Sequence, residues 1–364
     1  MPETRERLCR AWLSCSESLS FNARKRLLDT YLSAQAVYDG FLPDMLTVTG
    51  SKAYAELAEL RERGLDKIEL SLNRGGISLT ALGDEDYPAL LEEITDPPDL
   101  LFYKGSVHKQ GESAIAIIGS RRETGYGREQ AFRIARDLAA NGITVVSGLA
   151  RGIDTAAHEG ALEGGGRTIA ILGSGIKRVY PPENTDLAER MIAQGGAVIS
   201  EFHPNAGPLA FHFPFRNRLV SGLSHGVLLI EAREKSGTQI TIGHALAQGR
   251  EIFTLPGQVG APGSEVPHRM IREGARLVTS AADILDDMGW QYSKSAEQME
   301  MPMPDLTNQQ RRLYDALCNE PKGFDELSRF LEISVPQLNA ALTQLELSGL
   351  IEALPGRMFK QAGR

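Results

Sequence analysis

Ile143-Thr144-Val145-Val146-Ser147, then Gly148-Leu149-Ala150-Arg151-Gly152, then Ile153-Asp154-Thr155-Ala156-Ala157-His158: a β-branched apolar run passes through a glycine-flanked turn into a helix. An apolar run without polar alternation belongs to a strand buried on both faces. The same passage recurs along the chain. Further runs lie at Ala114–Ile118, Thr168–Leu172, Ala197–Ser200, Val227–Glu231 and Glu251–Leu255. Helix-length stretches fall between most of them, at Tyr126–Ala140, Ile153–Glu163, Asn184–Gln194 and Gln239–Gln248. Strand–helix repetition of this kind predicts an α/β fold with a doubly wound, mainly parallel sheet and right-handed crossovers.

The flanks read differently. Residues 1–80 carry apolar positions at helical spacing in Leu8–Leu13, Arg24–Leu32 and Lys52–Leu60, which predicts a small all-α module. Residues 81–111 read as a connector holding the apolar Leu100-Leu101-Phe102-Tyr103, so the central domain is placed at 81–290. Residues 291–306 read as a linker. Beyond it, Asn308–Leu317, Asp325–Leu331 and Val335–Leu347 make three helices, and Gly349–Leu354 with Arg357–Lys360 makes a hairpin around Pro355-Gly356. Three helices and a hairpin over 307–364 predict a winged helix.

The 364 residues are 42% hydrophobic and 24% charged, an ordinary globular composition that excludes disordered and fibrous classes. No run approaches the roughly 18 apolar residues of a membrane span, and the opening Met1–Arg7 has no apolar signal core. Cys9, Cys15 and Cys318 form no C-x-x-C spacing, so reduced cytoplasm is the expected compartment, with no metal and no cofactor. Basic against acidic residues run 13 to 18 over 1–111, 18 to 19 over 112–287 and 8 to 10 over 288–364. Any nucleic acid must therefore meet a local positive groove, since overall charge repels it.

Ligands of a doubly wound sheet bind beyond the carboxyl ends of its strands. Those exits carry Gly119-Ser120-Arg121-Arg122, Gly148, Gly173-Ser174-Gly175, and Arg233-Glu234-Lys235-Ser236-Gly237-Thr238. Glycines let backbone N–H groups approach an anion, and the accompanying Arg, Lys and Ser residues are more than tight turns need. A phosphate-binding edge follows. The dinucleotide fingerprint fails at Gly119-Ser120-Arg121, and the P-loop pattern is absent, so neither NAD nor ATP is supported. Gly222-Leu223-Ser224-His225-Gly226 matches a nucleophile elbow but in the wrong order, helix before strand. Asp154 and His158, one helical turn apart, read as structural hydrogen-bonding groups. Phe211, His212, Phe213 and Phe215 stand within a few residues of Arg216, Asn217 and Arg218. Such a segment either stacks bases beside cationic backbone contacts or fills the core with its rings while its arginines pair with acids.

Taken in order, Gly119-Ser120-Arg121, Ser147-Gly148-Leu149-Ala150-x-Gly152-Ile153-Asp154-x-x-Ala157-His158, Tyr180-Pro181, Phe213-Pro214-x-Arg216-Asn217-Arg218, Glu231-Ala232, Ser236-Gly237-Thr238 and Pro256-Gly257 resemble the DNA-processing protein A (DprA/Smf) family. The match is dense over 84–287 and weaker in the flanking modules. The resemblance implies an extended Rossmann-like domain, a sterile-alpha-motif-like N-terminal module and a winged helix. It further implies a non-catalytic homodimer that binds single-stranded DNA without sequence preference and loads the RecA recombinase in natural transformation or recombination. It carries Arg121, Phe213, Arg216 and Arg218 into the DNA groove, with Asn217 inside the motif; Ser120 and Lys235 join them from the edge geometry. Two departures stand out: Thr241 is followed by Ile242-Gly243-His244-Ala245 where the family usually has Thr-Ala-x-x-Ala, and Val266-Pro267-His268 replaces a Gly-x-Asn stretch.

The rival is a nucleotide phosphoribohydrolase of the lysine-decarboxylase-like (LOG) group. That group needs a glutamate where this chain has Thr241. The recognition helix of the winged domain, Val335–Leu347, holds no Lys or Arg and one acid, Glu346. Phosphate attachment needs cations, so this domain is expected to contact protein more than DNA.

Overall fold

The computed structural model describes residues 2–107, 111–234, 236–291, 306–317, 321–331, 333–348 and 350–361. The chain divides into two compact units, 1–293 and 294–364. In the first, a nine-stranded sheet is built from β1 (Ser78–Ala81), β2 (Leu100–Gly105), β3 (Ala114–Ile118), β4 (Thr144–Ser147), β5 (Thr168–Ile171), β6 (Ala197–Ser200), β7 (Gly226–Leu229), β8 (Glu251–Thr254) and β9 (Arg276–Leu277). Their order is β1-β2-β6-β5-β4-β3-β7-β8-β9. From β6 to β9 all pairings are parallel.

Every residue of β3 through β7 is buried, as Ala-Ile-Ala-Ile-Ile and Thr-Val-Val-Ser require when helices cover both faces. The Gly125–Ala140 and Ile153–Glu163 helices lie close together because Gly160 has no side chain. A Cβ there would stand 2.2 Å from the Phe132 carbonyl oxygen. β3 is hydrogen-bonded to β4 on one side and β7 on the other, so the chain reverses its direction of travel across the sheet at this strand.

The stretch expected to be a connector instead supplies β2, and the end of the module expected to be all-α supplies β1. β2 pairs antiparallel with β6, and β1 with β2, extending the parallel body by two strands. Leu100, Leu101 and Phe102 are buried because β2 lies within the sheet, between β1 and β6. The short β9 and the Glu265–Arg272 and Ala281–Asp287 helices also went unread in the sequence.

The N-terminal helices, Pro2–Ser14, Phe21–Tyr31, Ala34–Asp39, Ser51–Arg63 and Leu65–Arg74 among them, surround Trp12. Its ring meets Tyr38 and Phe41 edge-on at 5.0 and 5.5 Å, and its Nε1 donates to the Leu57 carbonyl at 3.1 Å. This core continues without a break into Leu100, Phe102 and Val198 of the sheet. Arg7 pairs with Asp84 and Asp86 at 2.6 and 2.9 Å, fixing the first helix to the loop after β1.

In the second unit, helices Asn308–Ala316, Phe324–Leu331 and Val335–Leu347 enclose Leu313, Leu327, Leu338 and Leu345. A small sheet of β10 (Lys322–Gly323), β11 (Ile351–Leu354) and β12 (Met358–Gln361), in the order β10-β12-β11, completes a winged helix. Reciprocal capping boxes, Thr307 with Gln310 and Ser334 with Gln337, start the first and third helices. Most of the expected linker, 292–305, lies outside the described residues. Among the described residues no helix is long and apolar enough to cross a membrane.

Candidate nucleic-acid cleft

At a topological switch point the loops after neighbouring strands diverge and leave a crevice. Here the exits of β3, β4 and β7 diverge around a cleft of about 730 Å³. The β3 and β4 turns interlock. Gly152 adopts φ +82°, and a Cβ there would stand 2.3 Å from the Ser120 carbonyl, which accepts from the Ile153 N–H at 3.2 Å. The Ser120 hydroxyl accepts from the Arg122 N–H at 3.0 Å. The Asp154 carboxylate accepts from the N–H groups of Gly148 and Ala150 at 3.0 and 3.3 Å, holding the β4 exit in shape.

The fourth wall comes from the His212–Gly222 helix, which sends Phe213, Arg216 and Asn217 into the cleft. Arg216 forms the floor. It is 3% exposed, and its Nη1 donates to the carbonyls of Gly148, at 2.7 Å, and Ile171, while its Nε has no partner. The guanidinium lies so close to Gly148 that a Cβ there would stand 2.6 Å from Nη2. Burial lowers its pKa to about 10, so the side chain is still a cation at neutral pH. Asp154 is buried beside it. Burial pushes that carboxyl upward, and Arg216 with the two backbone N–H groups opposes the rise.

Above this floor stand Arg121, Arg122 and Arg233, all exposed. Among the described residues none of the three is held in an ion pair. Arg121 sits over the Phe213 ring, 5.4 Å from its centroid. The cleft thus combines uncompensated cations, a half-buried aromatic face and glycine-rich backbone, and among the described residues the Ser236 hydroxyl on its wall meets no partner. That combination suits a flexible polyanion carrying planar groups.

Of the residues singled out from sequence, Gly119, Ser120, Arg121, Gly148, Phe213, Arg216, Asn217, Ser236, Gly237 and Thr238 line this one cleft. Gly173 lies beneath it, where a Cβ would stand 2.7 Å from the Phe213 ring. Gly175 turns instead against the carbonyls of His203 and Pro204 and does not line the cleft. Lys235 lies outside the described residues.

Arg218 is not brought to the cleft. Two positions along a helix point some 200° apart, and Arg218 forks onto Glu201 with both hydrogen bonds at 2.7 Å. Its guanidinium also stacks 4.1 Å over Phe215, lies 3.5 Å from Asp96, and borders a separate cavity of about 340 Å³. Phe215 packs on Phe21 of the N-terminal helices at 4.5 Å, and His212 stacks on Phe202 at 3.9 Å. Half of the aromatic–arginine segment is therefore core and half is cleft.

Sequence reading passed over Arg122, Arg233 and Tyr180 as site residues. The rule for strand exits brings up both arginines as part of the phosphate-binding edge, but neither is carried forward as a site residue. Tyr180 arrives from the far end of the loop after β5; the sequence marks it within the Tyr180-Pro181 motif, with nothing to place it in the cleft. Of the other motifs, Asp154 and His158 do structural work: His158 Nδ1 bonds Thr168 Oγ1 at 2.6 Å, and burial lowers its pKa to about 3. Ser224 is buried and donates to the Val220 carbonyl, so the Gly222–Gly226 match does not present its serine as a nucleophile elbow does. His268, in the place of a family departure, bonds the Gly257 carbonyl at 2.9 Å.

Comparison with known proteins fits this arrangement. Residues 78–289 match the model of the family described as DNA recombination-mediator protein A, and 297–357 match a DprA winged helix domain. The chain is 41% identical over 277 residues to Protein Smf of Escherichia coli (strain K12), covering 75% of this chain and 74% of that protein. It is 40% identical over 244 residues to the DNA processing protein DprA of Streptococcus pneumoniae, covering 67% and 86%. The crystal structure of DNA processing protein A from Streptococcus pneumoniae superposes with a TM-score of 0.63 at 34% identity, covering 78% of this chain and 97% of that one. DNA processing protein A from Helicobacter pylori, whose structure is described for its single-stranded DNA binding mode, gives 0.53 at 28%, covering 59% and 98%.

Proposed function

The chain belongs to the DNA recombination-mediator protein A family, and from that premise we propose that its cleft grips single-stranded DNA without reading sequence. One observation carries the reading: cations on two strand exits and one helix converge with Phe213 in a single cleft at the switch point. Phosphates meet Arg121, Arg122 and Arg233 on the rim, while Arg216 supplies a fixed positive field from below. A base stacks on Phe213. These contacts go to phosphate and to a ring face, neither of which differs usefully between bases. A duplex keeps its bases stacked inside and cannot offer one to Phe213.

We further propose, from the family, that the protein works as a homodimer in the cytoplasm, carries out no catalysis, and passes the bound strand to a RecA-type recombinase in transformation or recombination. The helical module of 1–80, the cleft domain of 81–290, a linker at 291–306 and the winged helix of 307–364 are its working parts. The winged helix has Val335 and Leu347 exposed at the two ends of its third helix and no cation along it, which favours a protein contact. Replacing Arg121 by Ala tests the cleft: affinity for dT and mixed-sequence oligonucleotides should fall about tenfold for both alike, measured by fluorescence anisotropy. Full-strength binding by that variant would refute the assignment.

A further inference from the structure

We propose that Tyr180 is a second base-stacking residue, seating the nucleotide next to the one on Phe213; this rests on the single-strand reading above. Tyr180 ends the loop that follows β5 and lines the cleft with 36% of its surface exposed. Its ring centroid is 5.7 Å from that of Phe213, with the planes tilted by 54°. The neighbouring rings are packed against other rings of the protein: Phe202 with His212, and Phe215 with Phe21. Among the described residues that line the cleft, Tyr180 and Phe213 are the aromatic ones, and they share it with the cationic rim.

The geometry also fixes how they work. A base sandwiched between two rings needs parallel planes about 7 Å apart, twice the stacking rise of about 3.4 Å. Planes tilted by 54° cannot form that slot. Each ring therefore takes its own base, and the strand must bend so that adjacent bases splay. Arg121, 5.4 Å from the Phe213 centroid, would meet the phosphate of such a bend.

The test compares a dT oligonucleotide with an abasic oligonucleotide of equal length, at one salt concentration, on the full chain. Tyr180→Ala and Tyr180→Leu should each weaken dT binding about tenfold and leave abasic binding unchanged, while Tyr180→Phe restores dT affinity. Melting curves check that each variant is folded. Equal losses on both oligonucleotides, or a Leu variant that binds dT like the parent, would overturn the proposal. Arg121→Ala runs alongside and should weaken both oligonucleotides. If it does not, while Tyr180→Ala still loses dT selectively, the cation assignment fails and the stacking residue stands. If every variant binds both like the parent, the cleft is not the site and both readings fall.

Discussion

On the His212–Gly222 helix, Arg216 faces the cleft and Arg218, two residues later, faces the junction with the N-terminal helices; both are more than nine-tenths buried. Their surroundings separate them. Arg218 is forked onto the Glu201 carboxylate, with Asp96 nearby, so its charge is spent inside the protein. Arg216 is held by carbonyl oxygens and makes no ion pair among the described residues, although the charge of buried Asp154 acts on it. An arginine in a family motif is thus no ligand by virtue of the motif. What it does depends on whether an acid already neutralises it.

The comparison can be broken most forcefully at Arg218. Replacing it by Ala leaves Glu201 buried without its partner, which costs about 3–5 kcal/mol and should lower the melting temperature by roughly 10 °C. DNA affinity per folded molecule should hardly change. Replacing Arg218 and Glu201 together by Met should recover most of the loss. A single variant that melts like the parent would place Arg218 in another role.

A second effect reports on Arg216 through His158. Burial, with the charge of Arg216 adding to it, keeps His158 neutral down to about pH 3, against 6.5 for an exposed imidazole. Between those values the unfolded chain takes up a proton that the folded one refuses. The stabilisation is therefore complete above about pH 6.5 and drains away as pH falls, by up to about 1.4 kcal/mol per pH unit. Denaturant melts at pH 7 and pH 5 should differ by about 2 kcal/mol less in His158→Gln than in the parent. An unchanged difference would mean that His158 is not held neutral.

The smallest change is a single methyl. Gly148→Ala places a carbon 2.6 Å from the Arg216 guanidinium and must displace it from the Gly148 carbonyl. Every charge is kept, yet dT affinity should fall about tenfold, as one charge-assisted contact is lost. Undiminished affinity would show that the position of Arg216 does not matter.

The legibility of this molecule follows the same division. Ala114–Ile118 and its counterparts were readable because strands buried on both faces must be continuously apolar. Leu100–Gly105 was not, since the segment pairs with β6 nearly a hundred residues later, and nothing local specifies an antiparallel edge. The strand exits announced Ser120, Arg121, Ser236 and Gly237, because topology alone places them together. Arg218 misled because Glu201, its neutralising partner, lies 17 residues away on another element. Tyr180 was legible only as part of the Tyr180-Pro181 motif, and its role escaped for a related reason: its neighbour Phe213 is distant in sequence, and only the folded chain sets their rings side by side.

The central claim is that the three rim arginines meet phosphates of an unpaired strand, and a salt titration tests it most directly. The binding constant for a dT oligonucleotide should fall with salt, with a log–log slope of about −0.7 per phosphate contact, or about −2 for three. Binding should be tighter than to the corresponding duplex. With Arg121, Arg122 and Arg233 all replaced by Ala, the slope should become nearly flat. A parent protein whose affinity ignores salt, or a triple variant that keeps the parent's slope, would contradict the cleft as the DNA site.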